Sequence, residues 1–154
     1  MFRRILVAVD GSDTANKALA AAIHLAKEMK GRVRVVHAIE ELTYLVGFDQ
    51  YGGYSGDLIK IMHDTASEIL EGAMAVARAA GVEADCMLYD TPGQRLADAV
   101  SDAALRWDAD LIVVGTHGRH GIGRILMGSG AEQITRLAPV PVLVVRADVE
   151  SKEA

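Results

Sequence analysis

The chain is short of most features that would identify a specialised class at sight. It has one cysteine, Cys86, in 154 residues, so no internal disulfide can form and the sequence fits a reducing compartment. Prolines number three and aromatic residues make up 5%, which excludes collagen-like and proline-rich linker architectures. Basic residues are outnumbered: 16 Lys and Arg against 21 Asp and Glu give a net charge of −5, a poor balance for a general nucleic-acid surface. A local basic spot stands at Arg119, His120 and Arg124. No apolar run reaches the length of a membrane span, and the N-terminus enters an apolar strand-like run within five residues instead of showing a signal peptide, so a cytoplasmic protein is expected. A hydrophobic fraction of 51% with 24% charged residues is nevertheless ample for one compact core.

Within that frame, apolar runs alternate with helical periodicity. Residues 5–9 form a continuous apolar run, the pattern of a strand covered on both faces. Asp10-Gly-Ser-Asp-Thr14 offers turn and N-cap chemistry before a helix over Ala15–Met29, which Gly31 is placed to close with a left-handed cap. A second strand over Arg32–Ile39 follows. Glu40–Asp57, with Tyr44, Phe48, Tyr51 and Tyr54, has no period and reads as a long loop, either a lid or partner patch or a surface excursion. A long helix capped by Ser55 or Asp57 then runs through Ala80 to Gly81, and Val82–Tyr89 reads as a weaker, edge-type strand. Thr91-Pro92 is expected to open the next helix, through Trp107, with proline in the first turn. Asp110–Gly115, a helix from Gly128 to Leu137 and a last strand at Val140–Val145 complete the chain. Such alternation predicts an α/β domain over residues 1–147, a single doubly wound parallel five-stranded sheet with helices on both faces, followed by a polar tail at 148–154.

Chemistry concentrates after the fourth strand. A loop entering a helix leaves N–H groups without intrahelical partners, and the helix dipole adds partial positive charge, so anions bind there. The amides of Gly118, Gly128, Ser129 and Gly130 are candidate phosphate donors, with a glycine-rich turn that binds nothing as the alternative. Gly123-x4-Gly128-Ser129 has a P-loop outline but no lysine, and Gly121-x-Gly123 and Gly128-x-Gly130 lack the third small residue of a dinucleotide fingerprint. Binding is indicated without an apparatus for fast chemistry. Asp10, at a strand tip, suits either a ribose, base or water-held Mg²⁺ contact or the capping of the next helix. His37 reads as a packed core or edge residue, His24 and His63 as solvated helix residues, and Cys86 as structural.

The spacing Gly115-x2-Gly118-x9-Gly128-Ser129, the opening Ile5-Leu-Val-Ala-Val-Asp10-Gly-Ser12, Val36-His37-Ala38 and the closing Ala138-Pro-Val-Pro-Val-Leu-Val-Val145 together resemble the universal stress protein family. That resemblance implies strand order 3-2-1-4-5, a crevice between the first and fourth strands, and ATP, ADP or AMP as ligand with Mg²⁺. It implies cofactor contacts at Ala8, Val9, Asp10, Ala38, Gly115, Gly118, Arg119, Gly128, Ser129 and Gly130, with Ala8, Val9 and the Ala38 backbone walling the adenine. It further implies a homodimer through Val140–Val145 and a regulatory role in the stress response. Gly130 departs from the family pattern, in which valine is common, and a glycine in the first helical turn costs about 1 kcal/mol against alanine. Two alternatives stay open: a nucleotide-independent dimeric interaction protein of the same fold, and a slow ATPase or a protein phosphorylating itself on Ser129.

Overall fold

The computed structural model describes residues 1–39, 48–49, 53–54, 56–116 and 127–146. Five parallel strands form the main sheet: β1 (Arg4–Ala8), β2 (Arg32–Ala38), β5 (Ala84–Tyr89), β6 (Leu111–Gly115) and β7 (Val142–Val145). Their spatial order is β5-β2-β1-β6-β7. Numbered among themselves, these five run 3-2-1-4-5, the expected order. Two residues each of β3 (Phe48–Asp49) and β4 (Gly53–Tyr54) pair antiparallel within the segment read as an aperiodic loop, whose other residues up to Ser55 lie outside the described ones.

Apolar alternation divides the core into two layers. Ile5, Val7, Val33, Val35, Leu111 and Val113 face helix α1 (Asp13–Met29) and helix α2 (Gly56–Ala79), whereas Leu6, Val36, Ile112 and Val114 face helix α3 (Leu96–Trp107) and helix α4 (Ser129–Leu137). Central β1 and β6 are therefore apolar on both faces, as their uninterrupted runs required. At one edge, Asp85, Cys86 and Met87 of β5 are exposed, and Cys86 is a free surface thiol, not a packed structural one.

Helix α1 starts where Ser12 Oγ accepts the Ala15 amide at 3.2 Å. It buries Ala15, Ala18, Leu19, Ala22, Ile23 and Ala26, a stripe at helical spacing. Its end corrects the sequence reading. Lys30, not Gly31, takes the left-handed conformation with φ 52°, and the Gly31 amide bonds Ala26 O at 2.8 Å. Glycine follows because a Cβ at position 31 would lie 2.7 Å from the Arg3 carbonyl oxygen. In α2, Asp57 lies inside the helix rather than at its cap, and Gly81 beyond its end is left-handed at φ 72°, as expected.

A second correction concerns Pro92. Gln94 N–H bonds Thr91 O at 3.2 Å and Gly93 has φ 82°, so Thr91-Pro92-Gly93-Gln94 is a tight turn, with proline preset for its second position and glycine supplying positive φ at its third. Helix α3 consequently starts at Leu96. No helix among the described residues is long and apolar enough to cross a membrane.

Candidate functional site

The chain leaves β1 for a helix on one face and β6 for a helix on the other, so the strand ends at Ala8 and Gly115 flank the topological switch point. In open sheets of this type ligands bind there, outside the carboxyl ends of the strands. Ala8, Val9, Asp10, Ala38 and Gly115 all stand at this end of the sheet, and the α4 start at Gly128, Ser129 and Gly130 is tied to it. Gly118 and Arg119, with His117, His120 and Arg124, lie outside the described residues.

Beyond β1, Val9 N–H still bonds Val36 O at 2.9 Å, and Asp10 Oδ1 accepts the Ser12 amide at 2.9 Å. Asp10 thus shapes the turn whose next residue, Ser12, caps α1; the two residues share the work expected of one. Gly115 serves packing. A Cβ there would lie 2.7 Å from Thr14 Cγ2 and 3.0 Å from the Thr14 carbonyl carbon and oxygen, so glycine lets the first turn of α1 sit directly on the tip of β6.

Thr116, 9% exposed, holds the base of the loop that leads to α4. Its N–H bonds Val145 O at 2.9 Å, and its carbonyl accepts the Gly128 amide at 2.5 Å. One of the four expected phosphate donors is therefore occupied by a neighbouring carbonyl. Gly128 instead forms the N-cap, with φ −59°, ψ 153° and no side-chain cap bond, and its own carbonyl accepts the Glu132 amide at 2.9 Å. The amides of Ser129, Gly130 and Ala131 precede the first intrahelical bond and have no partner among the described residues. Ala131 was not among the expected donors, yet belongs to the set through the same first-turn geometry. A Cβ at Gly130 would meet only Leu96 Cδ2, at 3.2 Å, the end of a flexible side chain.

On the β2 side, the ladder leaves the Ala38 amide in a similar condition. Arg32 N–H bonds Arg3 O and Val9 N–H bonds Val36 O, so the next rung of the parallel pattern would run from Ala38 N–H to Val9 O. That rung is not formed, and Ala38 N–H has no partner among the described residues. Val9 O is met instead by Nδ1 of His37 at 2.7 Å. His37 is thus packed and bonded to backbone, as expected of a strand residue.

The other described histidines are surface groups: His24 is exposed, and His63 Nε2 lies 3.5 Å from Asp90 Oδ2. Among the described residues no cluster of His, Cys, Asp or Glu is arranged to hold a metal ion. Two side chains at the β2–β5 edge titrate abnormally. The hydrogen bond to Asp85 raises Arg34, and burial raises Tyr89. Arg34 lies away from the strand-end crevice, whereas Tyr89 is the register partner of Ala38.

A doubly wound parallel sheet with open donors on both sides of its switch point is the arrangement in which α/β domains commonly hold ligands. The chain belongs to the universal stress protein family, whose model matches residues 1–146. It is 36% identical over 147 residues to a universal stress protein of Thermus aquaticus, covering 95% of this chain and all of that one. Among solved structures, a universal stress family protein from Burkholderia pseudomallei shares 31% identity with a TM-score of 0.76, covering 95% of this chain and 97% of that one. The universal stress protein from Archaeoglobus fulgidus in complex with dAMP is similar at 28% identity and TM-score 0.68, covering 94% of this chain and 99% of that one.

Proposed function

We propose that this protein binds an adenine nucleotide, ATP or its diphosphate or monophosphate, between the ends of β1 and β6, and acts as a regulatory stress-response factor whose signal is the bound nucleotide. The observation that carries the reading is the set of open first-turn amides at Ser129, Gly130 and Ala131, beside the switch point and at the positive end of α4. Each charge-assisted bond to a phosphate oxygen is worth about 1.5–3 kcal/mol, and two or three of them, less the ordering cost, support micromolar binding. Gly118 and Arg119 complete the phosphate end. Ala8 and Val9 wall the base, the Ala38 backbone meets its polar edge, and Asp10 serves the ribose or holds Mg²⁺ through water. The dAMP complex of the Archaeoglobus fulgidus relative supports adenine as the base.

The protein works as a homodimer in the cytoplasm. The segment Val140–Val145 carries the β7 edge and Leu143, which is 40% exposed, and pairing two such edges covers both. Fast catalysis is not part of the reading, since Gly123-x4-Gly128-Ser129 lacks the lysine of a P-loop.

Mass spectrometry of ligand gently released from purified protein, followed by calorimetry with ATP, ADP, AMP and cyclic AMP, tests the proposal. An adenine nucleotide in the released fraction and micromolar heats are expected. No heat with any of the four at high micromolar concentration would leave a nucleotide-independent dimeric interaction protein.

A further inference from the structure

We infer that His37 is the positioning residue that keeps the Ala38 amide available to a ligand, by occupying the carbonyl with which that amide would otherwise pair. In a regular parallel ladder the bonds between β1 and β2 are evenly spaced. Residues Arg32 and Val9 obey that spacing, through the bonds to Arg3 O and Val36 O. With Ala8 opposite Val36 in register, the next acceptor is Val9 O and the next donor is Ala38 N–H. The His37 ring has intervened, with Nδ1 2.7 Å from that oxygen. A carbonyl only accepts, so Nδ1 carries the proton, and this holds for the neutral ring and the cation alike.

The position of His37 explains why it, and not another polar residue, can do this. It immediately precedes Ala38, and its own amide belongs to the other ladder, since residues 33 and 39 of β2 donate to Glu83 O and Tyr89 O of β5. The side chain can therefore reach back across to β1 without breaking a backbone bond. Stopping the ladder one rung early leaves a half-buried donor at the strand end, open to an acceptor from a ligand. The edge of a purine base, with ring-nitrogen acceptors beside an exocyclic group, is the chemistry that fits a single extended-strand amide. The same ring holds Val9 in place, and Asp10 follows Val9 directly.

The binding arm of this inference rests on the adenine-nucleotide reading of the crevice; its exchange arm does not. Hydrogen exchange of the Ala38 amide is measured by nuclear magnetic resonance in nucleotide-free wild type, His37→Leu and His37→Asn. Affinities for ATP and for inorganic tripolyphosphate are measured in the same three proteins. Leucine frees Val9 O, so the Ala38 amide should zip onto it, exchange more slowly than in wild type, and cost about tenfold in ATP affinity, the worth of one hydrogen bond. Tripolyphosphate affinity should hardly change. Asparagine places an amide N–H where Nδ1 was and should restore both fast exchange and ATP binding. Equal Ala38 exchange in all three proteins would overturn the inference even if ATP binds. So would a proportional loss of ATP and tripolyphosphate affinity in His37→Leu with no recovery in His37→Asn. Failure of wild type to bind ATP would instead remove the nucleotide reading and leave the exchange result to decide the role of His37.

Discussion

The two ends of the sheet use their polar groups in opposite ways. At the amino-terminal end the chain closes upon itself. Asp110 accepts the amides of Arg3 and Arg4 at 2.9 and 3.1 Å, and the Arg4 guanidinium donates to Trp107 O through Nε and Nη2. Arg4, Arg34 and Arg32 lie 4.8, 4.9 and 5.5 Å from the centre of the Trp107 ring, and Arg34 forks onto Asp85 at 2.7 and 2.8 Å. At the carboxyl-terminal end the amides of Ala38, Ser129, Gly130 and Ala131 find no protein partner among the described residues. A denser cluster of arginines is therefore no pointer to an anion site, since these cations serve the Trp107 ring and carbonyl, Asp85 and Glu83. The proposed anion site instead falls where main-chain donors are open.

Mutations sharpen that contrast by separating stability from binding. Trp107→Ala, at the closed end, should have the largest effect: loss of a buried ring and of its stacked arginines costs about 3–5 kcal/mol, read by urea unfolding. Its ATP affinity, measured under conditions where the variant stays folded, should match wild type; a matching fall in affinity would merge the two ends into one unit. Gly115→Ala is expected next, at about 1–3 kcal/mol, because its Cβ would enter the Thr14 backbone. That variant should unfold more easily through loss of α1–β6 packing, and a melt unchanged from wild type would refute the close approach. Smallest is the Arg34–Asp85 pair, 22% and 52% exposed. A double-mutant cycle should return no more than about 1 kcal/mol, declining with added salt. A larger, salt-insensitive value would make the closed end an electrostatic keystone.

Much of the frame was legible because it follows from local rules. Unbroken apolar runs marked β1 and β6 as strands covered on both faces, and the Asp10–Thr14 stretch and Gly81 bounded their helices, while the strand order and its switch point came from the family resemblance. What escaped depends on neighbours distant in sequence. Pro92 suits a helical first turn equally well until Gly93 behind it is given positive φ, which makes a turn of the same residues. Gly31 has the composition of a helix cap but is required by Arg3, and Gly115 looks like a ligand contact but is required by Thr14. The Gly128 amide was counted as a free donor because nothing in the motif shows that Thr116 O takes it. His37 was correctly placed as a packed strand residue, but the rung it displaces is visible only once β1 and β2 are in register.

Ser129 offers the most direct test of the account. Gly128 already has the extended backbone that must precede a proline, and proline is well tolerated at the first helical position, so Ser129→Pro deletes one open amide while leaving α4 intact. Ser129→Ala keeps the amide and removes only the hydroxyl. Calorimetric titration of both variants with ATP should show Ser129→Pro weaker by about 10- to 100-fold, the worth of one charge-assisted bond, and Ser129→Ala much nearer wild type. Equal affinity in Ser129→Pro and wild type, with both folded, would contradict the claim that main-chain donors at the start of α4 hold the ligand.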